Sequence, residues 1–291
     1  MAWIFFTLLA AFMQSGRNAL QSRLSAEVST SGVTLARFVF ASPIAFLYLS
    51  GLYIFSPQIF PEFSSAFLTY ILVASCLQII ATALMVVLFK QKNFSVGAGL
   101  AKSEALVAGV IGMLFFGSQL SVLGWVGILV GTLAVFVLSG VLKKGSFSFS
   151  TVIIGLACGA SFAMTSLYIR EASLALNLPF PHNAAWVLLL VLCIQTVLLT
   201  IYIAYTEPRT FGQLKLHKKL TVATSFTSCI GSIGWFSAMS LQYVAYVKTL
   251  GQIEVLFTIL LSTLWLKQRV RAHEFAGLLL ISLAAVLVMW Q

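Results

Sequence analysis

Ten long apolar stretches joined by short connections leave this chain of 291 residues little else to fold with. They run over about 2–20, 33–55, 66–89, 95–116, 121–140, 149–169, 184–205, 220–241, 244–266 and 274–290. A helix that crosses hydrocarbon needs roughly 20 predominantly apolar residues, and it must satisfy its own backbone hydrogen bonds there. Sixty per cent of the residues are apolar and only 8% are charged, far from the balance of a soluble domain. The pattern predicts an all-α integral membrane protein of ten transmembrane helices, multi-pass in the cell (inner) membrane and embedded in the lipid bilayer. The first stretch opens at Met1-Ala2-Trp3 without a basic flank or a small-residue cleavage site, so it reads as a retained span rather than a signal peptide. Cys76, Cys158, Cys193 and Cys229 fall inside the stretches without ligand spacing, so neither a disulfide framework nor a metal or other cofactor is expected.

A net charge of +10 would suit a nucleic-acid partner, but its placement argues for a membrane and against nucleic acid. Twelve of the 17 Lys and Arg sit in alternate connections: Arg23; Lys90 and Lys92; Lys143 and Lys144; Arg209, Lys215, Lys218 and Lys219; Lys267, Arg269 and Arg271. The other connections and both termini carry only Arg170. Basic residues in short loops stay cytoplasmic, which puts Met1 and Gln291 on the non-cytoplasmic side.

The chain also repeats itself. At an offset of 150, Glu104 falls on Glu254, Leu106 on Leu256, Leu114 on Leu264, Gly127 on Gly277 and Leu133-Ala134 on Leu283-Ala284. The basic loops follow the first and third spans of one half and the second and fourth of the other. Two homologous five-span halves in one chain must insert in opposite senses, and the charge switches accordingly. Residues 1–144 and 145–291 therefore read as two inverted five-helix repeats, the arrangement characteristic of secondary transporters.

These features resemble the drug/metabolite transporter superfamily, specifically its EamA-type members. The resemblance covers the whole chain and is carried best by Ala238 to Tyr246, by Glu254, by Leu264-Trp265-Leu266-Lys267-Gln268-Arg269-Val270 and by Gly277. Gln268 stands where the family usually has Glu, and Ala105 and Val255 stand where it often has Pro. The resemblance implies ten spans, transport as the function and cytoplasmic termini. The local charge count gives the opposite orientation, and insertion bias is the physical quantity that decides it.

Ionisable groups inside spans mark pathways and sites, because each is costly in lipid. Glu104 and Glu254 are the deep acids; Arg17, Arg37, Lys102 and Lys248 are the deep cations. Arg17 and Arg37 sit near cytoplasmic ends and are expected to snorkel, with a place in a vestibule as the alternative. Lys102 lies roughly 10 Å into its span, too deep to snorkel. It is separated from Glu104 by about 200° around a regular helix, so one is expected on a cavity and the other against a neighbouring helix or Arg37. For the two acids, helix packing and substrate or proton binding are equally open. Gln14 offers a hydrogen-bonding group, and Trp235 and Tyr243 offer rings to a flat ligand. The candidate substrate-binding residues are Lys102, Arg37, Glu104, Glu254, Gln14, Trp235, Tyr243 and Lys248. Gly127-xxx-Gly131 is expected to serve intramolecular packing.

The expected function is secondary transport of a small polar metabolite by alternating access, with a carboxylate- or phosphate-bearing ligand favoured by the excess of deep cations and amino acids included. A coupling proton or a counter-substrate is the further partner this implies. A channel or ligand-binding membrane protein is the alternative. An intramembrane enzyme would need clustered nucleophiles, acids or histidines, and the spans hold two deep carboxylates and no deep histidine.

Overall fold

A computed structural model describes residues 1–91, 99–139, 149–266 and 272–290. Those residues form helices and connections, with no strand among them. The helices are α1 (Ala2–Leu24), α2 (Thr30–Phe38), α3 (Ala41–Phe55), α4 (Ser65–Phe89), α5 (Glu104–Phe115), α6 (Val122–Ser139), α7 (Phe149–Ala175), α8 (His182–Thr206), α9 (Arg209–Leu216), α10 (Lys218–Leu241), α11 (Val244–Gly251), α12 (Glu254–Leu266) and α13 (Ala272–Met289). Thr30–Phe55, Ser65–Phe89, Phe149–Ala175 and His182–Thr206 are long and apolar enough to cross a membrane. α1 and α10 are comparably long but diluted by polar residues, among them Gln14, Arg17, Asn18 and Ser232, which face inward. Outward the bundle presents Phe5, Leu72, Leu129, Leu133, Ile201 and Leu279, an apolar skin suited to lipid rather than water.

Three long pairings hold the bundle together: α1 along α10, α4 along α7 and α6 along α13. Each joins a helix from the first half of the chain to one from the second. On α6, a Cβ at Gly127 would come within 2.7 Å of Val288, and one at Gly131 within 2.6 Å of the Gln252 side chain. Both glycines are thus consumed in intramolecular contact, as expected.

Three of the apolar stretches are interrupted. Between α2 and α3, Pro43 has no N–H to give and its ring crowds the carbonyl four residues back, so the helix parts at Val39 and Phe40. Ser225 of α10 repairs the gap: its hydroxyl donates to the Ala36 carbonyl at 2.7 Å and accepts from the Phe40 N–H at 3.1 Å. The Phe38 carbonyl takes the Thr196 hydroxyl at 3.2 Å.

The other two breaks, at Lys102-Ser103 and Gln252-Ile253, match bond for bond 150 residues apart. In the first, the N–H of Lys102 reaches the Gly99 carbonyl and that of Ser103 the Leu100 carbonyl, both at 3.0 Å. In the second, Gln252 reaches Thr249 at 3.2 Å and Ile253 reaches Leu250 at 3.1 Å. Each break is a turn of i→i−3 bonds, tighter than the α-helix on either side. α7 comes so near the first that a Cβ on Gly159 would lie 2.7 Å from the Ala101 carbonyl oxygen.

Several boundaries differ from the sequence reading: α1 continues to Leu24 and α10 begins at Lys218, so Arg23, Lys218 and Lys219 lie within helices rather than in connections. α7 continues to Ala175, so Arg170 lies within a helix rather than in a connection. Its guanidinium donates to the Met239 and Gln242 carbonyls at 2.8 and 2.7 Å, capping the end of α10.

A charged cavity between two helix breaks

α5 and α12 each begin with a glutamate, Glu104 and Glu254, directly after a break. An acid in the first turn suits the positive end of the helix dipole. The two acids are paired crosswise. Lys102, on the first break, bonds Glu254. Lys248, on α11, approaches Glu104 at 3.3 Å. Each half of the chain therefore supplies one cation to the other half's carboxylate.

The carboxylates differ in their company. Glu254 accepts from Asn18 Nδ2 on Oε1 and from Gln14 Nε2 on Oε2, each at 2.6 Å, with Lys102 on Oε2 as well. Among the described residues Glu104 meets one cation, Lys248. Trp235 joins the two pairs: its indole N–H donates to Gln14 Oε1 at 2.9 Å, and Lys248 Nζ sits 4.6 Å from the ring centroid. A continuous polar chain runs Lys102, Glu254, Gln14, Trp235, Lys248, Glu104. All six residues except Gln14 and Lys102 are more than nine-tenths buried.

All of these groups but Glu254 border one cavity, walled by α1, α2, α4, the first break, the start of α5, α7, α10 and α11. Gln14, Arg17, Asn18, Arg37, Gln78, Thr165, Ser166 and Ser232 give it a polar lining, while Met85, Phe162, Ile169, Phe236 and Met239 complete it with apolar surface. Concave sites of mixed lining between packed helices are where small ligands bind.

Six of the eight candidate residues line this cavity: Lys102, Arg37, Glu104, Gln14, Trp235 and Lys248. Glu254 touches it through Lys102, Gln14 and Asn18. Tyr243 lies elsewhere: its ring packs under Arg170, 5.0 Å from the guanidinium carbon, and edge-on to Tyr246. The expectation that Lys102 and Glu104 could not share a cavity fails, because it assumed a regular helix. With i→i−3 winding the two residues stand about 120° apart instead of 160°. Glu104 turns to Lys248 rather than to Arg37. Arg17 and Arg37 do not snorkel; both are buried, 5% and 3% exposed, and line the cavity.

Sequence reasoning did not weigh Gln78 and Ser232 or treat Asn18 as a ligand to Glu254. Asn18 lies four residues after Gln14, so both amides fall on one face of α1. That spacing was the available signal.

Comparison with known proteins bears on the fold and on half of the chain. A solved crystal structure is 14% identical, with a TM-score of 0.73 over 99% of this chain and 96% of its own, so the two share a fold. No curated protein matches the sequence. Residues 149–290 match the EamA-like transporter family. The second half of the chain, from α7 to α13, is by that match similar to a membrane transporter family.

Proposed function

We propose that the whole chain is a secondary-active transporter that carries a small polar metabolite across the cell membrane by alternating access. In this reading residues 1–144 and 145–291 are inverted five-helix repeats making ten spans, and the substrate binds in the cavity between them. The observation that carries it is the crossed pair of contacts, Lys102 with Glu254 and Lys248 with Glu104, at two matching helix breaks. Broken helices at a repeat interface are how transporters bring backbone and charge to a site within the bilayer. The pairing of α1 with α10 and of α4 with α7 supports the same symmetry, since exchanging the first span with the sixth and the third with the eighth turns one pairing into the other.

Lys102, Arg37, Glu104, Glu254, Gln14, Trp235 and Lys248 are the proposed substrate site, and Tyr243 is a packing residue. Contacts that join the halves across the cavity must loosen for the site to change sides, so the two ion pairs are the bonds whose exchange accompanies transport. Glu104, with one cation and room beside it, is the better placed of the two acids to exchange a proton. The termini face away from the cytoplasm.

Counterflow tests the function. Purified protein in liposomes preloaded with an unlabelled solute should accelerate uptake of that same labelled solute for at least one metabolite class and show saturation. Solute entry that is linear in concentration and indifferent to preloading would indicate a channel instead.

A further inference from the structure

We propose that Arg17 and Arg37 form an anion subsite in this cavity that takes a doubly charged oxyanion group, a phosphomonoester or a dicarboxylate. That the bound group belongs to a transported substrate rests on the transporter reading above; the binding itself does not.

Four cations and two carboxylates meet around the cavity. Each lysine is committed to a glutamate, so the two unmatched charges belong to the guanidinium groups. Arg17 donates from Nη2 to Asn18 Oδ1 at 3.0 Å, and its Nε has no partner although the residue is only 5% exposed. Arg37 donates from Nε to the Ser228 hydroxyl at 3.2 Å and from Nη1 to the Thr82 hydroxyl at 2.6 Å. Among the described residues no carboxylate lies within 4.0 Å of either.

Hydroxyl and amide oxygens satisfy N–H groups but cancel no charge. A buried lysine can shed its proton; a guanidinium cannot. Two such cations in a bilayer interior call for a counter-charge, and the described carboxylates at the cavity, Glu104 and Glu254, are already held by the lysines. The planar fork of donors matches phosphate and carboxylate oxygens, and two unmatched charges call for a dianion. A purely structural clamp explains Arg37 in part, because it ties α2 to α4 and α10. It does not explain Arg17, which reaches only its neighbour on α1. Arg17 is therefore the residue that discriminates.

Ligand-induced thermal stabilisation of the purified full chain in detergent tests the subsite. Methyl phosphate is compared with dimethyl phosphate, and succinate with monomethyl succinate, so that charge changes while the skeleton does not. At least one dianion should bind tenfold or more tightly than its monoanion, and whichever of the two pairs responds identifies the oxyanion. Arg17→Gln should weaken that dianion by about 10- to 100-fold, the worth of a charged hydrogen bond, and Arg17→Lys should keep part of it. If Arg17→Gln fails to elute as folded protein, Arg17→Lys and the wild-type ratio still decide. The proposal is overturned if neither dianion outbinds its monoanion, or if folded Arg17→Gln binds the dianion as wild type does. Either failure leaves counterflow of another solute class possible, so the transport reading is judged separately.

Discussion

Replacing Glu254 by Gln should be the most damaging single change in the cavity. The carboxylate receives three donors, Asn18 on one oxygen and Gln14 with Lys102 on the other. A carboxamide offers one acceptor oxygen and turns an NH2 to the opposite side, so a donor meets a donor whichever way it is placed. Gln14 cannot flip in answer, because its Oε1 holds the Trp235 indole at 2.9 Å. Lys102 also loses its counter-charge. Removing one partner of a buried pair costs about 3–5 kcal/mol. At roughly 2 °C per kcal/mol for a chain of this size, the apparent melting temperature should fall by about 6–10 °C. Adding Lys102→Met removes the stranded ammonium and should recover ~1–3 kcal/mol relative to additivity. The assay is unfolding of wild type, both single variants and the double variant in one detergent. Wild-type stability in Glu254→Gln, or losses that add within about 0.5 kcal/mol, would refute the reasoning.

Glu104→Gln should be milder, since one 3.3 Å contact to Lys248 is at stake and Lys248 keeps the Trp235 ring. It should fold yet lose pH-driven accumulation of the carried solute, and normal accumulation would remove Glu104 from proton coupling. Ser225→Ala uncovers the Phe40 N–H and the Ala36 carbonyl at the Pro43 break, costing about 1–3 kcal/mol; an unchanged denaturation midpoint would show that the backbone had found other partners. At the end of the bundle where α2 meets α9, donation from Ser31 at 2.6 Å, with Ser29 and Thr210 beside it, holds the Glu207 carboxyl below its usual range. A depressed carboxyl contributes stability above its unfolded value and loses it as the pH falls through the folded one, so Ser31→Ala should matter at neutral pH and not in strong acid. Equal effects at both would contradict this. Impermeant labelling of single cysteines in intact cells should reach positions 1 and 291 and spare positions 144 and 218; the reverse pattern would overturn the orientation.

The fold was legible because hydropathy and length are local properties. Every apolar stretch read from the sequence is occupied by a helix or by two helices in succession among the described residues. The packing role of Gly127 and Gly131 and six of the residues that line the cavity followed from the same reading. What escaped was local geometry. Nothing in residues 102–104 or 252–254 resembles a Pro break, so the helix was taken as continuous and Lys102 was set opposite Glu104. The crossed pairing joins residues about 150 positions apart and could not be read from spacing within one helix. Distance from a span's end suggested snorkelling for Arg17 and Arg37, but burial depends on the neighbours packed around them. α9 was hidden because eight mostly polar residues carry no span signal.

Alternating access at the cavity is tested most directly by sided thiol labelling of a cysteine-free protein in sealed vesicles. Cysteines replacing Thr165 of α7 and Ser232 of α10, which both line the cavity, should react with a small impermeant thiosulfonate applied to either face of the membrane. Ser31 and Glu207, which meet across the halves, can be replaced by cysteines and tied with a bifunctional thiosulfonate. That bridge should block labelling from the face carrying the basic connections and leave labelling from the opposite face intact. Reaction from one face only before bridging, or undiminished reaction from both faces after it, would contradict a single site that opens to each side in turn.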